Sequence, residues 1–358
     1  MSLDDEVLPG VTSSNSNARS KSRSEFEFIK SLRQRVTSDL APSSPELTLG
    51  LGDDAAAFHP KPGKEIVIST DLLVEDIDFR RTNTAPFLLG YKALTVSLSD
   101  IAAMGARPRW CLISIGLPDD VWESNFVDRF YDGLLDLAGR YDVQLIGGDT
   151  SRTPEKIVIN SSVIGECDVG KVVRRSGAKA GDQIFLTGEL GGAASGLRLL
   201  ERGAHLPENG AATDSDSLDH LLIRHLRPEP RVGWGLILGQ EGLATAMIDL
   251  SDGLSSDLKH LCTESKVGAQ IDSALLPIDK HVVELCGRRK LDPLQLALHG
   301  GEDFELLFTV SSKLVSRLPK RVDGVQITRI GEITIDQEVT IAEGSRVWSL
   351  KPEGWQHF

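Results

Sequence analysis

The chain has 358 residues, 40% hydrophobic and 25% charged, which is ordinary for a soluble globular protein; that length exceeds what one core usually serves, so two domains are expected. A net charge of −13 argues against a general nucleic-acid binder, whose footprint is basic. No apolar run reaches the roughly 18 residues of a membrane span, and the N-terminus lacks the apolar core of a secretory signal.

Residues 1–24 are rich in Ser and Asn and read as a flexible tail. Ordered structure is expected from Glu25, in a helix carrying Phe26, Ile29, Leu32 and Val36 at helical spacing. Apolar runs at 65–71, 110–117, 143–148 and 157–165 read as strands. A strongly apolar helix over 85–104, stopped by Gly105, and an amphipathic helix over 120–140 alternate with them. Gly165 to Gly170 reads as the junction between domains 25–167 and 168–358. Beyond it come a strand at 183–186, a helix to about Arg202, and a polar loop over 203–217. A helix after Pro230, a strand at 244–250, a helix at 252–265 and strands near 268–272, 304–310, 325–332 and 337–341 complete the pattern. The mixture predicts an α/β fold with α+β character in two domains. Cys111, Cys167, Cys262 and Cys286 form no CxxC pair, so reduced core cysteines and a cytoplasmic protein are expected.

Acidic residues end several of these runs. Asp53 and Asp54 follow Leu47-Thr48-Leu49, Asp71 follows Ile66–Ile68, and Asp100 ends Leu94–Ser99. Asp149 follows Ile146-Gly147-Gly148, Asp249 and Asp252 follow Ala246-Met247-Ile248, and Glu302-Asp303 follows Gly300-Gly301. Ends of strands are where α/β proteins place their sites. Two carboxylates 4 Å apart repel by about 4 kcal/mol at an effective dielectric near 20. A hard cation relieves that repulsion, and Mg²⁺ takes carboxylate and phosphate oxygens together. The pattern therefore points to a multi-carboxylate Mg²⁺ site for a phosphorylated substrate. Each motif also has an ordinary structural explanation: a turn at Gly50–Ala55, a strand end at Ser69-Thr70-Asp71, an internal salt bridge for Asp100, and a helix cap at Ser251 or Asp252. Thr187-Gly188-Glu189-Leu190-Gly191-Gly192 lacks dinucleotide-fingerprint spacing, and no P-loop occurs. His299 reads as structural.

Taken in order, Gly50–Ala55, Ser69-Thr70-Asp71, Ser97–Ala106, Ile146–Thr150, Arg175–Ala178, Ile248–Leu254, Gly300–Leu306 and Gly354–Phe358 resemble the bacterial thiamine-monophosphate kinase family. That family belongs with aminoimidazole ribonucleotide synthetase and selenophosphate synthetase. The resemblance implies a two-domain aminoimidazole ribonucleotide synthetase-like fold, with the N-terminal sheet pairing across a homodimer. It implies transfer of the ATP γ-phosphoryl group to thiamine monophosphate, with several Mg²⁺ ions. It places Asp54, Ser69, Thr70, Asp71, Asp100, Asp149, Asp249 and Asp252 at metal positions. Tyr131, Gly148, Asp149, Arg175 and Ser251 fall at ATP positions, and Asp78, Glu302 and Trp355 at thiamine positions. Asp78 departs from the His usual in the family. The alternatives left open are another ATP-dependent enzyme of the superfamily and a non-catalytic Mg²⁺ or nucleotide sensor.

Overall fold

The computed structural model describes residues 25–39, 45–51, 55–206 and 217–356. The tail expectation for 1–24 and the site expectation for Asp54 lie outside them. The first domain opens with α1 (Glu25–Asp39), a short ladder of β1 (Leu47–Leu49) and β2 (Ala57–Phe58), and the long β3 (Lys64–Val74). It continues through α2 (Pro86–Ala103), β4 (Arg107–Leu117), α3 (Asp119–Trp122), α4 (Phe126–Arg140), β5 (Gln144–Arg152) and β6 (Val158–Asp168). Its sheet runs β3-β6-β4-β5, antiparallel except for the parallel β4–β5 pair.

α2 organises the molecule. It is apolar around its whole circumference, the pattern of a helix buried on every side. Against α4 it packs at near backbone contact: a Cβ at Gly90 would stand 1.8 Å from the Phe130 carbonyl oxygen, and one at Gly133 1.8 Å from that of Phe87. Its Leu94, Leu98 and Ile101 fill the first domain's core, with Ile113, Ile159 and Val163 from the sheet. Its Ala102 and Ala103 join Trp234, Met247 and Phe308 of the second domain. One helix thus carries side chains to both domains.

The second domain comprises β7 (Gln183–Thr187), α5 (Gly192–Leu200), α6 (Ser217–Leu226), α7 (Val232–Gln240), β8 (Ala244–Asp249), α8 (Leu254–Ser265) and β9 (Gly268–Asp272). α9 (Lys280–Arg289), α10 (Pro293–His299), β10 (Leu306–Val310), β11 (Arg321–Val322), β12 (Val325–Thr334), β13 (Val339–Glu343) and β14 (Arg346–Ser349) follow. Its sheet runs β14-β13-β9-β12-β7-β10-β8, with β11 paired to β12. Only β9 and β13 are parallel among its described pairs, which gives this half its α+β character. Three helices escape the sequence pattern. α6 begins where a polar loop was expected to end, and α9 and α10 are short and start with Asp279 and Asp292 caps, which also read as turns. The amphipathic stretch at 120–140 is two helices, because Glu123–Asn125 interrupts it.

Candidate active site

β3 is half-exposed, so its residues alternate between faces. Ser69 and Asp71 face α2. The Ser69 hydroxyl donates to Asp100 Oδ2, and the Ser97 hydroxyl donates to Asp71 Oδ2 at 2.6 Å. Two residues further along α2, the Ser99 hydroxyl donates to Asp249 Oδ2 at 2.7 Å. Asp249 ends β8 of the other domain and is 3% exposed. The two domains therefore meet at three carboxylates: Asp100 of α2, bonded by Ser69 of β3, and Asp71 and Asp249, each bonded by a serine of α2. Burial raises the Asp71 carboxyl to about 6, with Asp100 adding to it and the Ser97 hydrogen bond opposing. Burial, then Asp100, raises Asp249 to about 7, while Ser99 and Arg175 pull it down. Asp100 is raised by burial against Ser69 and Arg175. Arg175 does not offset the burial, so the cluster is short of positive charge.

The cluster extends past the end of β8. Asp257, which the sequence reading missed, is 2% exposed in α8 and is raised to about 8 by burial, then by Asp249 and Asp252. Its Oδ2 accepts from the backbone N–H groups of Asp252 and Gly253 at 3.2 and 3.0 Å. The alternative of a cap at Ser251 or Asp252 is not realised: Gly253 holds the N-cap position, and Asp257 reaches back to satisfy the amides. The spacing Asp252-x₄-Asp257 was the available signal.

Two further segments close on the same turn. Leu250 N–H donates to Glu305 O at 2.8 Å, Phe304 N–H to Leu250 O at 3.0 Å and Glu302 N–H to Ser251 O at 2.8 Å. Glu302 and Phe304 sit at φ +64° and +48°, a left-handed conformation uncommon for non-glycine residues. At the C-terminal end, Trp355 N–H donates to Asp252 O at 3.1 Å. Gly354 is required there, because a Cβ would stand 2.2 Å from Asp252 O.

Comparison with known proteins places the chain in a family. Residues 52–167 match AIR synthase related protein, N-terminal domain, and 179–343 match AIR synthase related protein, C-terminal domain. The thiamine-monophosphate kinase of Escherichia coli (strain K12) is 40% identical over 343 residues, 93% of this chain and 98% of that protein. That of Bacillus subtilis (strain 168) is 36% identical over 338 residues, 93% and 99% respectively. The chain belongs to the thiamine-monophosphate kinase family. Among solved structures, the thiamine-monophosphate kinase of Stenotrophomonas maltophilia K279a is 38% identical, with a TM-score of 0.78 over 89% of this chain and 96% of that one. AaThiL complexed with AMPPCP and TMP is 31% identical, with a TM-score of 0.73 over 93% and 97%. Hydrogenase maturation protein HypE, 20% identical at a TM-score of 0.66, shares the fold.

Not every residue expected from the kinase family reaches the cluster. Thr70 lies on the opposite face of β3 from Asp71, where its hydroxyl meets Ser162 Oγ at 3.0 Å and Asn160 Nδ2 at 2.9 Å. Strand alternation forbids three consecutive side chains from sharing one face. Asp149 sits on β5, at the far edge of the sheet. The rung Asp71–Ser161–Ile113–Gly148 puts it about 14 Å away, three strand spacings. Gly148 has a packing reason, since a Cβ would stand 1.9 Å from Ile113 O. Tyr131 is a correction to the expected ATP contact. It is 3% exposed, packed against Phe28 and Phe130, and presents no face to a nucleotide. Asp78 accepts from Val74 N–H at 2.7 Å and braces its own turn. Glu302 is held by Lys92 Nζ at 2.7 Å and His225 Nδ1 at 3.1 Å, and Trp355 is 54% exposed. His299, expected to be structural, bonds Ser255 Oγ at 2.9 Å.

Proposed function

We propose that this protein transfers the γ-phosphoryl group of ATP to the phosphate of thiamine monophosphate, giving thiamine diphosphate and ADP. The observation that carries the reading is the Asp71–Asp100–Asp249 cluster spanning two domains, in a chain of this family. Its donors are all oxygens, its carboxyls are raised by burial and one another, and Arg175 supplies the opposing positive charge to Asp100 and Asp249. Such a donor set fits Mg²⁺. Ser69, Asp71, Asp100, Asp249 and Asp252 would hold the ions, with Asp257 behind them. Bound there, Mg²⁺ supplies charge neutralisation for the transferring phosphoryl group. Donor and acceptor are both phosphates, and a phosphate monoester oxygen is already deprotonated near neutral pH. The work left to the chain is alignment and exclusion of water.

Arg175, Ser251 and Gly148 are our candidates on the nucleotide side. Trp355, anchored beside Asp252, offers an aromatic face to the cationic thiazolium, and Glu302 offers it a carboxylate. Asp149, on an exposed sheet edge, would need a second chain or a bridging phosphate to join the cluster. A second copy fits the sheet. The face of β3 away from α2 exposes Ile68 at 67% and Leu72 at 59%, a surface that a partner sheet would cover. Four buried free cysteines suit a reducing compartment, so we place the reaction in the cytoplasm.

The test is direct. Purified protein incubated with ATP, Mg²⁺ and thiamine monophosphate should form thiamine diphosphate, while free thiamine should be a poor acceptor. Equal use of free thiamine would reject the reading. Light scattering of the wild type and Ile68→Lys should give two copies and one.

A further inference from the structure

In the second domain, outside the acid cluster, α6 and the start of α9 bring together His220, Asp279 and His281. One ligand atom from each lies within 4.8 Å of the others. Asp279 precedes α9, is 1% exposed, and caps that helix by accepting from His281 N–H at 2.8 Å. Its other oxygen meets His220 Nε2 at 2.7 Å. Its backbone is tied to the loop after β7, donating to Leu190 O at 3.2 Å, while Leu190 N–H donates to Pro277 O at 2.8 Å. The two imidazole rings lie 4.6 Å apart, centre to centre, at 45°. An aspartate–histidine pair alone would satisfy Asp279. It leaves His281 Nδ1 buried with no hydrogen-bond partner among the described residues.

We infer that His220, Asp279 and His281 form a site for a borderline transition-metal ion such as Zn²⁺, separate from the phosphoryl-transfer centre. Two imidazole nitrogens and one carboxylate oxygen match the zinc donor preference, and they are the wrong set for Mg²⁺. Zinc ligands at about 2.0–2.2 Å stand about 3.3 Å apart in a tetrahedron. The 2.7 Å His220–Asp279 contact would open slightly and the widest pair would close, movements within reach of side-chain rotation. The His220 side chain is 44% exposed, so the site borders solvent and water can complete the coordination. The carboxylate is already oriented: Oδ1 accepts from the His281 amide and Oδ2 lies against His220 Nε2.

Such an ion would clamp α6 to α9. One turn beyond His220, Arg224 hydrogen-bonds Glu189 O at 2.7 Å and Glu305 Oε1 at 3.3 Å, and the next residue, His225, holds Glu302. The clamp therefore fixes the register of the helix that positions the Gly300–Glu305 loop.

The experiment uses the full chain, stripped with chelator and kept in saturating Mg²⁺ so that the acid cluster is occupied. Equilibrium dialysis with Zn²⁺ should find one equivalent bound, and Co²⁺ should give the visible absorption of an imidazole-ligated ion. His281→Gln and His220→Gln, confirmed as folded by circular dichroism, should each weaken binding by at least about tenfold. Asp71→Asn should leave it unchanged. Zn²⁺ at a hundred times its Kd should also raise the melting temperature of the wild type and not of the histidine variants. No Zn²⁺ bound by wild type, or binding that persists in both histidine variants, would overturn the assignment.

Discussion

The molecule contains two concentrations of buried acid, and they are built in opposite ways. Asp71, Asp100, Asp249 and Asp257 face serine hydroxyls, backbone amides and one another, and their carboxyls are pushed up. Glu302 and Glu305, one loop away, face cations. Glu305 is fully buried, with Arg231 at 2.5 Å and Arg224 at 3.3 Å. Burial alone would raise these two carboxyls, but Lys92 and His225 hold Glu302 down at about 2, and Arg231 and Arg224 hold Glu305 below its ordinary value. Asp303 stands between the two cases: Arg224 and the amides of Gly191 and Ala193 do not fully offset burial, and it rises to about 6. Where the chain completes its own ion pairs and seals them in the core, as at Glu305, it builds structure. A chain that gathers acids and withholds cations leaves room for a cation from outside.

Asp249→Asn and Asp71→Asn break the comparison most severely. Each keeps an oxygen ligand and removes one charge, so kcat should fall by a factor on the order of 10²–10³, the scale of losing one electrostatic contact in the transition state. Without Mg²⁺ these variants should melt no lower than wild type, because repulsion is relieved. If they melt well below it and keep near-normal kcat, the cluster is structural.

Arg231→Met makes the opposite cut. It strands part of the Glu305 charge in the core and should destabilise the protein by about 3–5 kcal/mol with or without Mg²⁺. Denaturant titration showing a loss that Mg²⁺ repairs would erase the distinction between the two regions.

The pH dependence sharpens it further. Asp71 and Asp249 have folded values raised from 3.8 to about 6 and 7. Their contribution to metal-free stability is therefore complete below 3.8 and is lost as pH rises through 6 to 7. His225 is lowered by burial, so its effect has the opposite sense over the neighbouring range. The gain in melting temperature on adding Mg²⁺ isolates the acids, and it should grow from pH 5 to pH 8. A gain independent of pH would count against the cluster as the metal site. Glu302 titrates outside this window, its contribution being lost only as pH falls towards 2.

The smallest effect belongs to Trp355. A partly desolvated cation–π contact is worth about 0.5–2 kcal/mol, so Trp355→Ala should raise KM for thiamine monophosphate about 2- to 30-fold and leave that for ATP nearly unchanged. Equal changes in both would make Trp355 a C-terminal anchor on the Asp252 turn.

The sequence by itself determined the long, strongly patterned elements, α2 and β3 among them. It also determined which acids end apolar runs, because these are local properties: periodicity, a breaking glycine, a carboxylate after a strand. It did not determine which acids share a site. Thr70 and Asp71 are neighbours in the chain but lie on opposite faces of a pleated strand, and Asp71 and Asp149 end similar runs at opposite edges of one sheet. Tyr131 carries a polar group at a position that the α4 packing turns inward against Phe28. Asp257 sat unremarked inside a helix, and burial, then the approach of Asp249 and Asp252, makes its carboxyl unusual. α6, α9 and α10 are too short for their pattern to stand out, and they are held by packing against one another and α5. Strand order and helix packing decided these matters, since the energy of a buried charge depends on what the fold brings within a few ångströms of it.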